Sequence, residues 1–176
     1  PPPPLPAEPA GQTTPVSPLV GRERELARLA QLTAAHRLVT VSGPGGVGKT
    51  SLVRQWLVQT AAPADGVGWC DLSAITEPSL LPAELARAWR LPLGRGEPGA
   101  ALAAALRPLA MVVVLDNAEH LVDATAELAQ ALLDAAPRVT VVVTSQGALR
   151  LADEQLLPLG PLLLLCAGLL LVTWRG

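Results

Sequence analysis

The chain has no phenylalanine, no tyrosine and a single lysine among its 176 residues. Without those aromatics the core has to be aliphatic, drawn from an Ala- and Leu-rich composition that is 50% hydrophobic, with Trp56, Trp69 and Trp89 expected as large fillers. There are only two cysteines, Cys70 and Cys166, far apart and without metal-ligand spacing. They read as reduced core thiols of an intracellular protein, which excludes a disulfide framework or a zinc site. No broad basic surface is present: the formal charge is −2 and the arginines are scattered, so nothing here argues for direct nucleic-acid binding. The most apolar run, Pro161 to Trp174, is about 14 residues, short of the about 18–20 a membrane-spanning helix needs. A membrane span is therefore not expected. No charged-then-apolar leader opens the chain, and a cytoplasmic location is expected. The first residue is Pro1, not Met, which reads as a piece of a longer gene product.

The one lysine stands in the most informative stretch. Twelve of the thirteen basic residues are arginine; the exception is Lys49, inside Gly43-Pro44-Gly45-Gly46-Val47-Gly48-Lys49-Thr50. This fits Gly-x-x-x-x-Gly-Lys-[Ser/Thr], the phosphate-binding loop pattern. The glycines let the backbone turn tightly and bring N–H groups to phosphate oxygens. Lys49 supplies a compact charge toward the β- and γ-phosphates, and the Thr50 hydroxyl is a ligand for Mg²⁺. A helix beginning here, through Ser51, adds its N-terminal dipole. The bland alternative is a glycine-rich turn without a ligand.

The flanking pattern supplies the context that the motif requires. Residues 1–18 are proline-rich and read as a disordered linker. From Leu19 to Ala35 an amphipathic helix is expected, with Leu26, Leu29, Ala30 and Thr33 as its apolar stripe and Arg22, Glu23, Arg24, Glu25 and Arg28 solvated. Leu38–Ser42 reads as a strand feeding the glycine loop, and Lys49–Thr60 as the helix after it. A second strand is expected over Val67–Leu72, helices over Pro78–Trp89 and Ala100–Leu106, and a loop over Leu91–Gly99. Further helix and strand patterns cover Leu121–Ala136 and Val139–Ser145, with a short fifth strand near Gln155–Leu159. Pro161 to Gly176 is an apolar tail that reads as a buried helix, an interfacial anchor or a truncated end.

Met111–Asp116 carries the second strong signal. A continuous apolar run suits a central parallel strand covered on both faces, and its terminal Asp116 then emerges at the carboxyl edge, beside the glycine loop. This is the arrangement of an acid that holds Mg²⁺; a helix-capping Asp is the alternative. Glu119 reads either as the base that polarises an attacking water or as a first-turn acid complementing a helix dipole. His120 reads as structural or surface. Thr144 and Ser145 fall at the same sheet edge, either to contact the γ-phosphate or as a plain strand end.

With these residues in hand, the chain from about Leu19 to Leu162 resembles the nucleotide-binding domain of STAND-class P-loop ATPases. It is similar in particular to the NB-ARC-type modules of bacterial transcriptional regulators related to the AfsR and LuxR/MalT groups. The resemblance rests on Leu-Val-Gly-Arg-Glu (Leu19–Glu23), the phosphate loop, Val-Val-Leu-Asp-Asn-Ala-Glu-His (Val113–His120), Thr-Ser-Gln (Thr144–Gln146) and the closing Leu-rich segment. It implies a three-layer α/β P-loop NTPase sandwich with a parallel five-stranded sheet, and a domain over residues 19–160. It places the Asp116 strand between the neighbours of the phosphate-loop strand, and Val20 and Gly21 against the adenine. It also implies ATP and ADP as ligands with Mg²⁺, switching between ADP- and ATP-bound forms, self-association on ATP binding, and a DNA-binding domain ahead of the proline-rich linker. The family usually has Arg after Thr-Ser to sense the γ-phosphate; here it is Gln146, and losing a fixed cation there should slow hydrolysis. A weakly hydrolysing ATP/ADP switch is therefore expected. The alternatives are a catalytically inactive ADP-binding scaffold and a small-molecule kinase, for which neither an arginine-rich lid nor an acceptor pocket is evident. A regulatory GTPase is disfavoured, because its Asn-Lys-x-Asp motif needs a second lysine.

Overall fold

Five parallel strands form one sheet in the order β2-β3-β4-β1-β5: β1 (Leu38–Ser42), β2 (Val67–Asp71), β3 (Val112–Asp116), β4 (Thr140–Ser145) and β5 (Gln155–Pro158). The structure, a computed structural model, describes residues 21–94 and 96–161. Expectations for Val20, for the linker of residues 1–18, for Cys166 and for the apolar tail from Leu162 onward lie outside the described residues.

The central strands β1, β3 and β4 are mostly apolar because both their faces are covered. Alternate residues go to opposite sides, as the two-residue period of a strand requires. Val39 and Val41 of β1, Val114 of β3 and Val142 of β4 meet Leu26, Leu29 and Leu32 of α1 (Glu23–Ala35) and Leu52, Val53 and Trp56 of α2 (Lys49–Gln59). Val113, Leu115, Val141 and Val143 face the other way, into a second core. That core is closed by α3 (Leu81–Ala88), α4 (Pro98–Leu106) and α5 (Val122–Ala135). The result is the expected α/β three-layer sandwich.

Local chemistry explains where elements begin and end. α4 starts at Pro98, two residues ahead of the expected Ala100, because the Glu97 carboxylate accepts from the Gly99 and Ala100 N–H groups and caps the helix. Proline at the first turn costs no intrahelical bond. The segment expected as one helix from Pro78 is a 3₁₀ turn (Pro78–Leu80) followed by α3. Arg37 donates to the Leu133 and Ala136 carbonyls, satisfying the end of α5 and tying it to the foot of β1. Gly68 makes room for a tryptophan: a Cβ there would lie 2.9 Å from the Trp89 ring and from the Met111 methyl. Trp56 and Trp89 are buried as fillers, while Trp69 is only partly buried.

Three expectations need correction. β3 does not lie between the neighbours of β1; β4 is inserted between β1 and β3. The insertion has a use, because it puts a hydroxyl of β4 beside the acid of β3. The apolar stripe of α1 runs through Leu32 in place of Ala30, which is exposed, since Leu32 is the position that faces the sheet. Arg22 is not solvated: it precedes the helix and is only 4% exposed, held by partners distant in sequence.

Candidate nucleotide site

The glycine loop leaves β1 at the carboxyl edge of the sheet and runs into the N-terminus of α2. Its start is pinned from both sides. The Gly43 N–H donates to Ser145 O of β4 (3.2 Å), and the Leu159 N–H beyond β5 donates to Ser42 O (2.6 Å). A Cβ at Gly43 would come within 2.4 Å of the Leu159 carbonyl oxygen, so glycine is required there by close approach. Gly48 ends the loop at φ +96°, a left-handed conformation from which α2 begins.

Among the described residues the N–H groups of Gly45, Gly46, Gly48, Lys49, Thr50 and Ser51 donate to no other group; the first bond of the helix is Leu52 N–H to Gly48 O. Pro44, Gly45, Gly46 and Ser51 are exposed, forming the lip of this nest, and Val47 is half-buried. No acidic residue occupies the first turn of α2 to oppose an anion. Lys49 is 6% exposed; its Nζ donates to Gly43 O (2.8 Å) and Pro44 O (3.1 Å), which fixes the ammonium over the loop. An ammonium has three donors, so one remains for an anion in the nest. A cluster of unpaired N–H groups, a helix N-terminus and a held cation is a phosphate-binding arrangement.

Beside the nest stands Asp116, 2% exposed. Its Oδ1 accepts from Thr50 Oγ1 at 2.9 Å and from Thr144 Oγ1. Thr144 in turn accepts the Asn117 N–H at 2.9 Å, so its one hydroxyl proton is committed to the acid. Burial pushes the Asp116 carboxyl above its ordinary value; the bonds from Thr144 and Thr50 pull it back, and the neighbouring Asp71 charge adds to the push. Asp71 is the register partner of Asp116 on β2. Burial raises the Asp71 carboxyl, but hydrogen bonds from Asn117 and Ser73 outweigh it, so this acid sits below its ordinary value. Arg54, one turn beyond Thr50 on α2, stacks over Trp69 with 4.6 Å to the ring centroid, and its charge favours both carboxylates.

These oxygens suit a hard divalent cation. No group of three or more His, Cys, Asp or Glu residues gathers to form a closed cage among the described residues. One hydroxyl and one carboxylate beside a phosphate nest is the donor set Mg²⁺ uses, with the remaining ligands coming from phosphates and water. Thr50 and Asp116 would hold it.

The other candidates are less central. Glu119 lies in a 3₁₀ turn (Ala118–His120) entered through Asn117 at φ +62°, and its Oε2 is buried without a hydrogen-bond partner. The His120 Nε2 meets Ile75 O at 3.0 Å, a structural contact. Ser145 is buried; its carbonyl anchors Gly43 and its hydroxyl takes the Gly147 N–H at 3.4 Å. Gln146 is exposed. Gly21 is exposed at φ +84°, its N–H on Glu23 Oε1.

Sequence reasoning read Arg22 as solvated and gave no site role to Arg54, Asp71 or Asn117. Asp71 carried a usable signal: like Asp116, it is an acid ending a short apolar strand.

The sequence family described as "AAA ATPase domain" matches residues 18–144. A protein of Mycobacterium tuberculosis, strain H37Rv, provisionally named an HTH-type transcriptional regulator, is 42% identical over 127 residues, covering 70% of this chain and 14% of its own length. An uncharacterised protein of the same strain is 36% identical over 140 residues, covering 77% of this chain and 35% of itself. The chain thus spans about a seventh to a third of the curated relatives it matches. Among solved structures, Cdc6p from Pyrobaculum aerophilum superposes with TM-score 0.58 at 24% identity, over 77% of this chain and 42% of that one. A Signal Transduction ATPase with Numerous Domains (STAND) protein with a tetratricopeptide-repeat sensor, from Pyrococcus horikoshii, superposes with TM-score 0.56 at 17% identity, over 80% and 23%. Both likenesses bear on the fold.

Proposed function

This chain belongs to the AAA ATPase domain family, and on that premise we propose that it is an ATP/ADP-binding switch module of a signal-responsive transcriptional regulator, hydrolysing ATP slowly with Mg²⁺. The observation that carries the reading is the nest of unpaired N–H groups around the buried Lys49, facing the Thr50–Asp116 pair. The nest and Lys49 hold the β- and γ-phosphates. Thr50 and Asp116 hold Mg²⁺, which when bound neutralises charge on the phosphates. Thr144 keeps Asp116 aimed. Glu119, three residues beyond Asp116 and with an Oε2 that has no hydrogen-bond partner, polarises the attacking water. Slow turnover is supported by Gln146, which brings no charge to the developing transition state. The regulator context is supported by the 42%-identical relative named as HTH-type. A DNA-binding domain ahead of the linker of residues 1–18 belongs to the same proposal.

The test is binding of fluorescent ATP and ADP analogues with Mg²⁺, followed by single-turnover hydrolysis. Both nucleotides should bind and ATP should turn over slowly. Binding of neither would sink the proposal. Binding with strictly zero turnover would favour the second reading, an ADP-binding scaffold, to which the uncharged Gln146 already lends support. Self-association of the ATP form, implied by the STAND resemblance, is read from the same samples by size exclusion.

A further inference from the structure

Arg22 is a buried cation that touches two segments far apart in sequence. Its guanidinium pairs with Glu25 Oε1 at 2.8 Å, donates to Val47 O in the glycine loop at 3.4 Å, and donates to Gly160 O just past β5 at 2.6 Å. The planar fork suits this, since one guanidinium addresses several acceptors at once. Glu25 balances the charge, and the bond from Arg22 holds that carboxyl below its ordinary value.

The Val47 contact bears on the nest. In a planar trans peptide the carbonyl and the following N–H point opposite ways. Turning Val47 O toward Arg22 therefore fixes the plane of the Val47–Gly48 peptide and turns the Gly48 N–H, one of the unpaired donors of the loop, away from Arg22. The Gly160 contact adds a third tether between the end of β5 and the loop, beside the Leu159–Ser42 bond and the close approach of Leu159 O to Gly43.

We propose that Arg22 is a positioning residue that couples nucleotide in the glycine loop to the segment Leu159–Pro161, where the chain leaves the sheet. The idea rests on the nucleotide-binding reading above, but the clamp itself can be tested without nucleotide. Coupling of this kind is reciprocal: a ligand that orders the loop orders the exit segment, and freeing the exit segment weakens the ligand.

The experiment is amide hydrogen exchange of peptides covering 43–51 and 155–161, on the whole chain, with and without Mg²⁺ and ADP. Without nucleotide, Arg22→Ala and Arg22→Lys should both speed exchange in the two peptides; the lysine keeps a charge near Glu25 but lacks the fork. With ADP, the unsubstituted chain should gain protection in both peptides. The variants should gain it in 43–51 only, with ADP affinity lower by about tenfold. Equal protection of 155–161 in the variants would overturn the coupling. If the unsubstituted chain shows no response to ADP, the nucleotide reading fails; the nucleotide-free exchange rates still decide the clamp, and unchanged rates in both variants would overturn it.

Discussion

Asp116 carries opposing demands. It is buried, its carboxyl is raised by desolvation, and two threonine hydroxyls are turned onto one of its oxygens. Between its ordinary value and its raised value the folded chain keeps a proton that the unfolded chain has lost. Stability therefore falls as pH rises through that window, and the cost is fully present above it. Asp116→Asn, which keeps an acceptor for Thr50 and Thr144, should raise the melting temperature near neutral pH, and the gain should shrink toward acid pH. The same variant should lose the Mg²⁺-dependent part of nucleotide affinity. Thermal melts across pH, with ADP titrations in Mg²⁺ and in chelator, check both. Gly43→Ala should cost about 1–3 kcal/mol of stability, because its Cβ would meet a backbone carbonyl that cannot step aside. Urea unfolding reads that loss. At this scale much of the site was legible from the sequence. Lys49, Thr50 and Asp116 are recognisable because their chemistry depends on near neighbours and on a strand end. Arg22 was not, because its burial depends on Gly160, whose carbonyl reaches it only after β5 joins the sheet.

Among the elements, β4 does the most to shape the site. By lying between β1 and β3 it contributes Thr144 to Asp116 and the Ser145 carbonyl to Gly43. All five strands could be read from apolar runs, but their order could not. The central runs, β1, β3 and β4, are covered on both faces, so nothing in their pattern names a neighbour. Gln146 immediately follows β4 and is exposed, so an arginine there has room to reach a γ-phosphate. Gln146→Arg should raise ATP turnover in single-turnover assays while leaving ADP affinity within about twofold. Gly68 of β2 is a different case, remote from the loop and shaped by Trp89. Gly68→Ala should lower the melting temperature, and ADP affinity at temperatures where the variant is folded should be unchanged.

In the whole molecule, the phosphate nest is built where four strand ends converge. β1 carries the loop, β4 holds its first residue, β3 brings the acid, and the end of β5 closes against Gly43 and Arg22. Nucleotide should therefore stabilise the whole domain, since ligand binding to the folded state alone adds to its stability. No helix among the described residues is long and apolar enough to cross a membrane. The chain covers about a seventh of the regulator-like relative's length. The most direct measurement is a calorimetric titration of Mg²⁺–ADP into the chain and into Lys49→Ala. Saturable one-to-one binding to the unsubstituted chain, abolished in the variant, is the predicted result. No heat of binding to the unsubstituted chain, or equal affinity in Lys49→Ala, would contradict it.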